Sequence, residues 1–490
     1  MARQYLAFDL GAESGRAIAA KLAEDGTLTV REICRFPNQP IRERGALRWN
    51  ALGLWGDITR ALDGVGETRF DSIGVDAWGV DYALLDERGT LLENPYHYRD
   101  ARNVGTMEEV FARVSRDRLY AVTGIQFIQI NTLFQLYAAS RQTPNIVETA
   151  QSLVTIPDLF NYWLTGELVT EYTSATTTQC VDACTRQWAI GLVEEVGLPT
   201  RLLRPIVEPG TVIGAVRPSA SPALAGTPVV APACHDTASA VAAIDLDGRT
   251  AFLSSGTWSL LGAEMSEPIL SPKARDLNFT NEGGAAGTIR LLKNINGLWL
   301  LQACRRVWHS QGTNEPYDEL LAGAADPALA FRSLVDPDHA LFLNPADMTA
   351  AIASYCRQSA QPEPETRAAF ARAIFESLAL KYRLVLDRLE ELTGRRFTEL
   401  RVVGGGSRNR LLNQLTADAT GRVVLTGPGE ATALGNVAMQ MVATGAVTSL
   451  GEARRTIARS FPAERFEPAA TERWEAPYRR FLDYVECGCA

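Results

Sequence analysis

This sequence contains few lysines and histidines and no long apolar run. Each of these features argues against a class of function. Only four of the 48 basic residues are lysines, and none of them follows a glycine. The Walker A pattern GxxxxGK[ST] of P-loop proteins is therefore absent. No apolar run approaches the roughly 18 residues that a membrane-spanning helix needs. The net charge of -9 argues against a nucleic-acid-binding surface, which requires basic patches.

Eight cysteines are spread along the chain without a CxxC pair. The close pairs are Cys180 with Cys184 and Cys487 with Cys489, and either would need two further ligands to bind zinc. Because there are only four histidines, we interpret the cysteines as ordinary reduced thiols, and the CxC ending has no functional explanation. The N-terminus lacks the apolar core of a signal peptide. The sequence therefore predicts a cytoplasmic protein.

A length of 490 residues exceeds what one hydrophobic core supports, so two domains are expected. We predict the boundary near Asp245–Gly248, giving domains 1–244 and 245–490. Each half begins with a strand, a glycine turn and a second strand. These strands are predicted at Gln4–Leu10 and Arg16–Lys21, and again at Thr250–Leu253 and Trp258–Gly262. Such weak symmetry is typical of a duplicated ATPase domain.

Periodicity and turn residues predict several further elements. They are a strand at Thr27–Arg35, helices from Asn50 to Gly64, from Asn296, from Pro364 to Thr393, from Arg408 to Ala419 and from near Glu430, and a strand at Leu400–Val403.

Three glycine-containing turns are candidates for binding phosphate. The turn after the first strand is DLGAESGR, residues 9–16. Its backbone N–H groups could surround an anion, and Asp9 could hold magnesium through water. The alternative is a plain hairpin turn. The segments Ser254–Thr257 and Gly404–Gly406 offer similar surfaces, although hydroxyl residues are common in turns for local reasons.

Two polar segments are candidates for binding and activating a second substrate. In Cys234–Thr237, a carboxylate could accept a proton from a hydroxyl group while the neighbouring imidazole binds the same molecule. In Asp76–Asp81, a tryptophan beside a glycine suits the apolar face of a sugar. The alternatives are a satisfied polar cap at a strand end and a tryptophan that belongs to the core.

Taken together, these segments resemble the FGGY family of carbohydrate kinases from end to end. Features general to the family are DLGAESGR at 9–16, GGGSRNRLLNQLTADATG at 404–421 and EATALG at 430–435. Other segments are similar to family members that act on L-rhamnulose: DAWGVDYALLDERG at 76–89, YRDAR at 98–102, NTLFQL at 131–136, PDLFNYWLTG at 157–166, TSATTTQ at 173–179, HDTASAV at 235–241, SSGTWSL at 254–260 and LKNINGLWLLQ at 292–302.

The resemblance implies an α/β fold of two actin-like (ribonuclease H-like) ATPase domains with a cleft between them. It also implies transfer of phosphate from ATP to L-rhamnulose, giving L-rhamnulose 1-phosphate. The implied site residues are Asp236 as catalytic base; Trp78, Gly79, His235, Asp236, Thr237 and Asn294 for the sugar; Ala12, Glu13, Ser14, Gly15, Arg16, Thr257, Gln302 and Gly405 for ATP; and Asp9 for Mg²⁺.

The first phosphate turn departs from the family pattern, since many members have hydroxyl residues where this chain has Ala12 and Glu13. A carboxylate close to phosphates is electrostatically unfavourable, so we expect Glu13 to point to solvent or to contact Arg16. The sugar and ATP are the expected partners, with no nucleic acid or membrane. Monomer and homo-oligomer both remain open.

Three alternatives to this activity differ in what they would require. A kinase of another ketose, such as L-fuculose or a pentulose, would share the motifs. An actin-like chaperone or filament protein would need a peptide-binding module or a polymer interface. A sugar-responsive regulator would need a helix-turn-helix and a basic surface.

Overall fold

The chain divides into two units, each assembled from three stretches of sequence. The structure is a computed structural model that describes residues 2–66 and 68–487. Unit 1 comprises Met1–Asp245, Glu264–Leu291 and Glu430–Pro462, and unit 2 comprises Leu246–Ala263, Leu292–Gly429 and Ala463–Ala490. Of the close cysteine pair at the C-terminus, Cys489 lies outside the described residues.

Unit 1 contains the following strands: β1 (Arg3–Leu10), β2 (Ser14–Leu22), β3 (Leu28–Pro37), β4 (Ile41–Glu43), β5 (Ala46–Arg48), β6 (Ser72–Ala77), β7 (Tyr82–Leu85), β8 (Ser152–Thr155), β9 (Thr170–Glu171), β10 (Ile206–Val207), β11 (Thr211–Ala215), β12 (Pro228–Ala231) and β15 (Thr280–Gly283). Its α-helices are α1 (Ala51–Gly64), α2 (Thr106–Phe111), α3 (Arg116–Thr123), α4 (Thr132–Gln142), α5 (Pro144–Thr149), α6 (Ile156–Thr165), α7 (Tyr172–Thr177), α8 (Ile190–Val196), α9 (Asp236–Ala242), α10 (Pro272–Asp276), α16 (Ala431–Ala443) and α17 (Leu450–Ser460). Short 3-10 helices lie at Ala101–Asn103, Thr200–Leu202 and Ala285–Gly287.

Unit 2 contains strands β13 (Thr250–Ser255), β14 (Trp258–Met265), β16 (Ile289–Asn296), β17 (Glu399–Val403), β18 (Val423–Thr426) and β19 (Glu464–Phe466), of which β14 and β16 extend a few residues past the unit boundary. Its α-helices are α11 (Trp299–Ser310), α12 (Tyr317–Ala324), α13 (Met348–Gln358), α14 (Arg367–Thr393), α15 (Arg410–Thr420) and α18 (Glu475–Cys487), with 3-10 helices at Pro327–Leu329, Ala340–Phe342, Gly405–Arg408 and Thr471–Trp474.

The main sheets of the two units share one topology. In unit 1 the strand order is β11-β12-β6-β1-β2-β3, and in unit 2 strands lie side by side as β16-β14-β13-β17-β18-β19. Each sheet is centred on an antiparallel hairpin, β1 with β2 or β13 with β14. The first strand of each hairpin also pairs in parallel with β6 or β17, which pairs in parallel with β12 or β18. The two strand–turn–strand segments in the sequence therefore correspond to the hairpins of two sheets that have the same strand order.

Helix α16 covers the middle of the unit 1 sheet, where it packs on β1, β6 and α9. Strand β1 is buried over its last six residues, which explains why Tyr5–Phe8 are continuously apolar rather than alternating with polar residues. Asp9 comes at the end of this buried run, and the loop after β12 leads into α9. The fold therefore places the polar strand ends of unit 1 next to one another.

Most predicted elements are confirmed, and contacts at their ends explain where they begin. The helix predicted from Asn50 to Gly64 is α1, and the Asn50 side chain caps it by accepting a hydrogen bond from the Gly53 N–H at 3.0 Å. The helix predicted from Asn296 is wrong at its start, because Asn296 is the last residue of β16 and α11 begins at Trp299. Asn296 is held in the strand by its N–H, which donates to Asp338, and by its side chain, which donates to the Phe342 carbonyl.

No helix within the described residues is both long enough and apolar enough to span a membrane.

Candidate active site

The first glycine turn joins β1 to β2 and is closed by an ion pair across the hairpin. Asp9 and Arg16 are register partners, and Arg16 Nη2 lies 2.5 Å from Asp9 Oδ2. Arg16 also contacts Glu430, with Nη1 2.9 Å from Oε2 at the start of α16. Burial works against the charge on Arg16, but the two carboxylates raise its pKa above the ordinary value. The turn therefore presents one half-buried cation held by two acids.

The side chain of Glu13 in this turn is exposed. Its backbone carbonyl accepts a hydrogen bond from the Asn38 N–H at 2.9 Å, and Asn38 Nδ2 donates to the Gly11 carbonyl at 2.9 Å. Asn38 thus fixes the backbone of the turn from outside. Of the two expectations for this acid, solvent exposure or contact with Arg16, the exposure agrees with the first.

A second carboxylate, that of Asp76, lies beside Asp9. The two residues are register partners on the parallel strands β1 and β6. Asp76 Oδ2 accepts a hydrogen bond from Asn436 Nδ2 at 2.7 Å, whereas Oδ1 is buried and has no hydrogen-bond partner among the described residues. Burial, together with the nearby charge of Asp9, raises the pKa of Asp76 well above its usual range. The buried Oδ1 of Asp76, beside Asp9, is thus available to bind another group.

The third carboxylate, that of Asp236, is the first residue of α9. Its Oδ1 accepts hydrogen bonds from the N–H of Thr237 at 2.5 Å and from the Thr237 hydroxyl at 3.2 Å. His235 Nε2 lies 3.4 Å from the same oxygen. Removal from bulk water is the main cause that raises the pKa of Asp236, with a further increase from Asp9. All three contacts involve Oδ1, while 30% of the side chain is exposed.

Gly79 lies next to the imidazole of His235. An isolated parallel bridge joins Ala77 to His235, and the Ala77 N–H donates to the Cys234 carbonyl at 2.9 Å. A Cβ atom on Gly79 would be only 3.1 Å from His235 Nε2. The absence of a side chain at Gly79 therefore leaves space in front of this nitrogen.

The indole of Trp78 is buried and fixed in orientation. Its Nε1 donates to Asp81 Oδ2 at 3.0 Å, and Trp49 Nε1 donates to the same oxygen at 2.5 Å. The ring centroids of Trp49 and Trp78 are 4.3 Å apart. Burial raises the pKa of Asp81 to about 6. With 5% of its surface exposed, Trp78 is chiefly a core residue behind Gly79.

The loop that carries His235 is supported by α7. The His235 N–H donates to the Thr173 hydroxyl at 3.0 Å, and the Cys234 N–H donates to Glu171 Oε2 at 3.1 Å. Glu171 also caps α7 by accepting from the N–H groups of Thr173 and Ser174. Burial raises the pKa of Glu171 to about 7. These supporting residues were missed by the sequence reasoning, although they lie in or beside the segment TSATTTQ.

In unit 2 the turn after β13 and the glycines after β17 pack against each other. A Cβ on Gly404 would lie 2.7 Å from the Ser255 carbonyl oxygen, and one on Gly406 would lie 2.0 Å from the Ser255 hydroxyl. A Cβ on Gly405 would meet nothing within 4 Å. Two of the three consecutive glycines are thus required by packing, and the middle one leaves an open backbone surface.

The start of α11 adjoins the same turn. The N–H groups of Gly297 and Trp299 donate to the Thr257 carbonyl, both at 3.1 Å. The Gln302 N–H donates to the Leu298 carbonyl inside the first turn of α11. Asn294 lies on β16, three residues before Gly297. Unit 2 thus contains a surface built from a hydroxyl-rich turn, glycines and a helix start.

Comparison with known protein families identifies both halves of the chain. The FGGY family of carbohydrate kinases, N-terminal domain, matches residues 4–243, and the C-terminal domain of that family matches residues 251–444. The chain belongs to the FGGY family of carbohydrate kinases. It is therefore an enzyme that transfers phosphate to a sugar.

Individual relatives cover nearly the whole of this carbohydrate kinase. A rhamnulokinase from Bacteroides thetaiotaomicron is 46% identical over 99% of the chain and 100% of its own length. Rhamnulokinases from Pectobacterium atrosepticum and Oceanobacillus iheyensis are 43% and 41% identical over 98% and 93% of the chain, and over 96% of each relative.

Solved structures confirm the fold class expected from the sequence. A xylulose kinase from Lactobacillus acidophilus superposes with a TM-score of 0.80 at 16% identity, covering 99% of this chain and 97% of that one. The glycerol kinase of Plasmodium falciparum with ADP gives a TM-score of 0.78 at 16% identity, covering 100% and 98%. At this identity the likeness concerns the fold alone.

The residues predicted for the site fall into two groups within the kinase. Unit 1 brings together Asp9, the turn Ala12–Arg16, Trp78, Gly79, His235, Asp236 and Thr237. Unit 2 contains Thr257, Asn294, Gln302 and Gly405, which lie in the turn after β13, on β16, on α11 and after β17. Their roles stay predictions. The sequence marks Asp76–Asp81 as a candidate segment but does not reveal the contact of Asp76 with Asn436, which is 360 positions away.

The donor set around Asp9 suits a hard cation. Within the described residues no group of three or more His, Cys, Asp or Glu side chains is arranged to hold a metal ion alone. Asp9 and Asp76 nevertheless offer carboxylate oxygens, and Asp76 Oδ1 is buried without a partner among the described residues. Magnesium commonly binds through one or two carboxylates together with substrate phosphates and water. The residues present fit such an ion.

Proposed function

We propose that this carbohydrate kinase transfers the γ-phosphoryl group of ATP to the 1-hydroxyl of L-rhamnulose, giving L-rhamnulose 1-phosphate and ADP, as a step of L-rhamnose catabolism. The observation that carries the proposal is the 46% identity to a rhamnulokinase over 99% of the chain. The alternative is a kinase of another ketose, L-fuculose or a pentulose, since a change of a few contacts can alter sugar preference.

Asp236 is the group proposed to accept the proton of the attacking hydroxyl. Thr237 holds Oδ1 through two hydrogen bonds, so Oδ2 is the oxygen free to meet the substrate. An ordinary aspartate is a weak base for an alcohol, and the raised pKa of Asp236 brings it closer to that task. In a loose transition state the proton leaves late, so orientation of the hydroxyl by Asp236 contributes alongside proton removal.

The sugar would be bound by Gly79, His235, Thr237 and Asn294, with Trp78 behind them. Gly79 leaves the space in front of His235 Nε2 that a sugar oxygen needs. Trp78 is held by Asp81, so that this wall of the site does not reorient when the sugar binds.

ATP would contact the backbone of Ala12–Arg16 in unit 1 and Thr257, Gln302 and Gly405 in unit 2. Exposed N–H groups of glycine turns stabilise phosphate oxygens, and Arg16 supplies a cation. Asp9, with Asp76, would hold Mg²⁺, which supplies charge neutralisation at the phosphates when bound. In this assignment residues 1–244 carry the base and the sugar contacts other than Asn294, and residues 245–490 form the nucleotide-binding domain, to which Ala12–Arg16 are the contribution of residues 1–244. We place the enzyme in the cytoplasm.

A coupled assay of ADP release against a panel of ketoses tests the proposal. We expect kcat/KM to be highest for L-rhamnulose and at least about tenfold lower for L-fuculose, L-ribulose and D-xylulose. A higher kcat/KM for any of these three ketoses would show that this ketose, and not L-rhamnulose, is the preferred substrate. The assignment as a sugar kinase would stand.

A further inference from the structure

A fully buried arginine contacts the ring of His235 from the side opposite Asp236. Arg290 lies in the first residues of β16, which belong to unit 1 as His235 does. Its side chain is 0% exposed, and its Nη2 lies 3.1 Å from His235 Nδ1. Its Nε donates to the Gly283 carbonyl at 2.8 Å, and Nη2 lies 3.2 Å from Glu282 Oε2. The guanidinium is thus anchored to β15 and has little freedom to leave the imidazole.

The chemistry of this contact decides where the histidine proton lies. A guanidinium only donates hydrogen bonds, so His235 Nδ1 must be the acceptor in the 3.1 Å contact. In the neutral imidazole the single proton then lies on Nε2. Nε2 is the nitrogen that lies 3.4 Å from Asp236 Oδ1 and faces the space left by Gly79. The ring therefore presents an N–H donor to the site.

Glu282 opposes this arrangement. Its Oε2 is 3.4 Å from His235 Nδ1 and would attract a proton there. However, Glu282 is also paired with Arg290, and a proton on Nδ1 would point at a guanidinium donor. A second cation beside Arg290, buried as both are, would be costly. The neutral ring with its proton on Nε2 gives the Arg290 Nη2 donor an acceptor at Nδ1, while Glu282 stays within ion-pair distance of the same guanidinium.

We propose that Arg290, held by Glu282, is a positioning residue that fixes the tautomer of His235 so that Nε2–H donates into the sugar site. Resting on the proposed function, this assigns His235 the role of donor to a sugar oxygen and leaves Asp236 as the acceptor of the hydroxyl proton. Without Arg290, the Nδ1–H tautomer would turn a lone pair on Nε2 toward the Asp236 carboxylate, which repels it. The sugar would then lose a hydrogen bond.

Nitrogen-15 NMR of the histidine side chains tests the tautomer directly in the full-length protein. The chain has four histidines, so the His235 signals are assigned by their loss in His235→Gln. We expect protonated Nε2 and unprotonated Nδ1 at neutral pH without sugar. A proton on Nδ1, with or without one on Nε2, would overturn the proposal. Because this readout needs no turnover, it is independent of the identity of the substrate.

Kinetics of Arg290 variants provide the second test. We expect Arg290→Met to raise the KM for the sugar about tenfold or more, with the KM for ATP nearly unchanged, and Arg290→Lys to recover part of the loss because ammonium also donates. Arg372→Met is the matched control, since Arg372 is also buried and paired with one glutamate, Glu376, but lies in unit 2. It should leave the His235 signals and the sugar KM unchanged.

An Arg290→Met enzyme that kept both the Nε2–H tautomer and the original sugar KM would refute the positioning role. If that variant does not fold, the NMR result on the unmodified protein decides alone. If the tautomer is as expected but L-rhamnulose is not the preferred ketose, the proposed substrate fails and the assignment of Arg290 stands.

Discussion

Gly435 lies directly against the backbone of Ser239, so that a Cβ atom on Gly435 would be 1.7 Å from the Ser239 carbonyl oxygen. Gly435 belongs to α16 and Ser239 to α9, the helix that begins with Asp236. The close approach of the two helices therefore fixes the position of the proposed base. A glycine is the only residue that fits at this point.

We expect Gly435→Ala to push α16 away from α9, lowering the free energy of unfolding by at least about 2 kcal/mol and lowering kcat as Asp236 moves. Denaturant unfolding and the coupled assay measure both effects. Gly191→Ala is the control, because Gly191 lies in α8 and its Cβ would meet nothing within 4 Å. Helix propensity predicts that this control is neutral or slightly stabilising. Equal behaviour of the two variants would contradict the packing argument.

We expect Asp236→Asn to lower kcat by about two to four orders of magnitude while sugar binding is mostly kept, since an amide cannot accept the hydroxyl proton. Steady-state kinetics and sugar titration measure the two quantities. Asp86→Asn is the control, because Asp86 only caps a turn by accepting from the N–H groups of Arg88 and Thr90, which an amide oxygen can also do. Near-normal turnover of Asp236→Asn would defeat the assignment of the base.

We expect Glu13→Ser to change the KM for ATP by less than about twofold, because the exposed carboxylate is screened by solvent. The ATP dependence of the initial rate at saturating sugar measures this. The comparison is Arg16→Ala, which should raise the KM for ATP because it removes the cation between Asp9 and Glu430. A much lower KM for ATP in Glu13→Ser would show instead that the acid intrudes on the phosphate site.

His97 makes the stability of unit 1 depend on pH. Its ring stacks on Trp49 at 4.3 Å, and its Nδ1 accepts the Arg99 N–H at 2.9 Å. Burial, and to a lesser degree the charge of Arg99, lowers the pKa of His97 from 6.5 to about 3. Between these values the unfolded chain binds more protons than the folded one. The contribution of His97 to the free energy of unfolding is therefore fully present above the unfolded pKa. This contribution is lost as the pH drops toward the folded pKa.

We expect His97→Asn to reduce the loss of unfolding free energy between about pH 7 and about pH 4.5 by roughly 2 kcal/mol. The asparagine oxygen can replace Nδ1 as acceptor for the Arg99 N–H but does not titrate in this range. Chemical denaturation at several pH values measures the slope. His309→Asn is the control because His309 is exposed on α11. An unchanged slope in His97→Asn would show that His97 does not contribute.

Local sequence patterns predicted those elements whose ends are determined by neighbouring residues in the chain. Asn50 caps a helix because its side chain reaches an N–H three residues ahead, and this is visible in the sequence. The two strand–turn–strand segments follow from apolar runs interrupted by glycine. The start of α11 was misplaced because the residues that hold Asn296 in a strand, Asp338 and Phe342, lie more than 40 positions away.

The sequence alone determined the family, the α/β class and the candidate residues, since short motifs and apolar periodicity encode them directly. Only the tertiary structure decided which buried groups face these residues: Arg290 and Glu282 at His235, Asn436 at Asp76, and Ser239 at Gly435. The physical reason is that the energy of a buried polar contact or a close helix crossing depends on distances between segments far apart in the chain, and no local pattern specifies those distances.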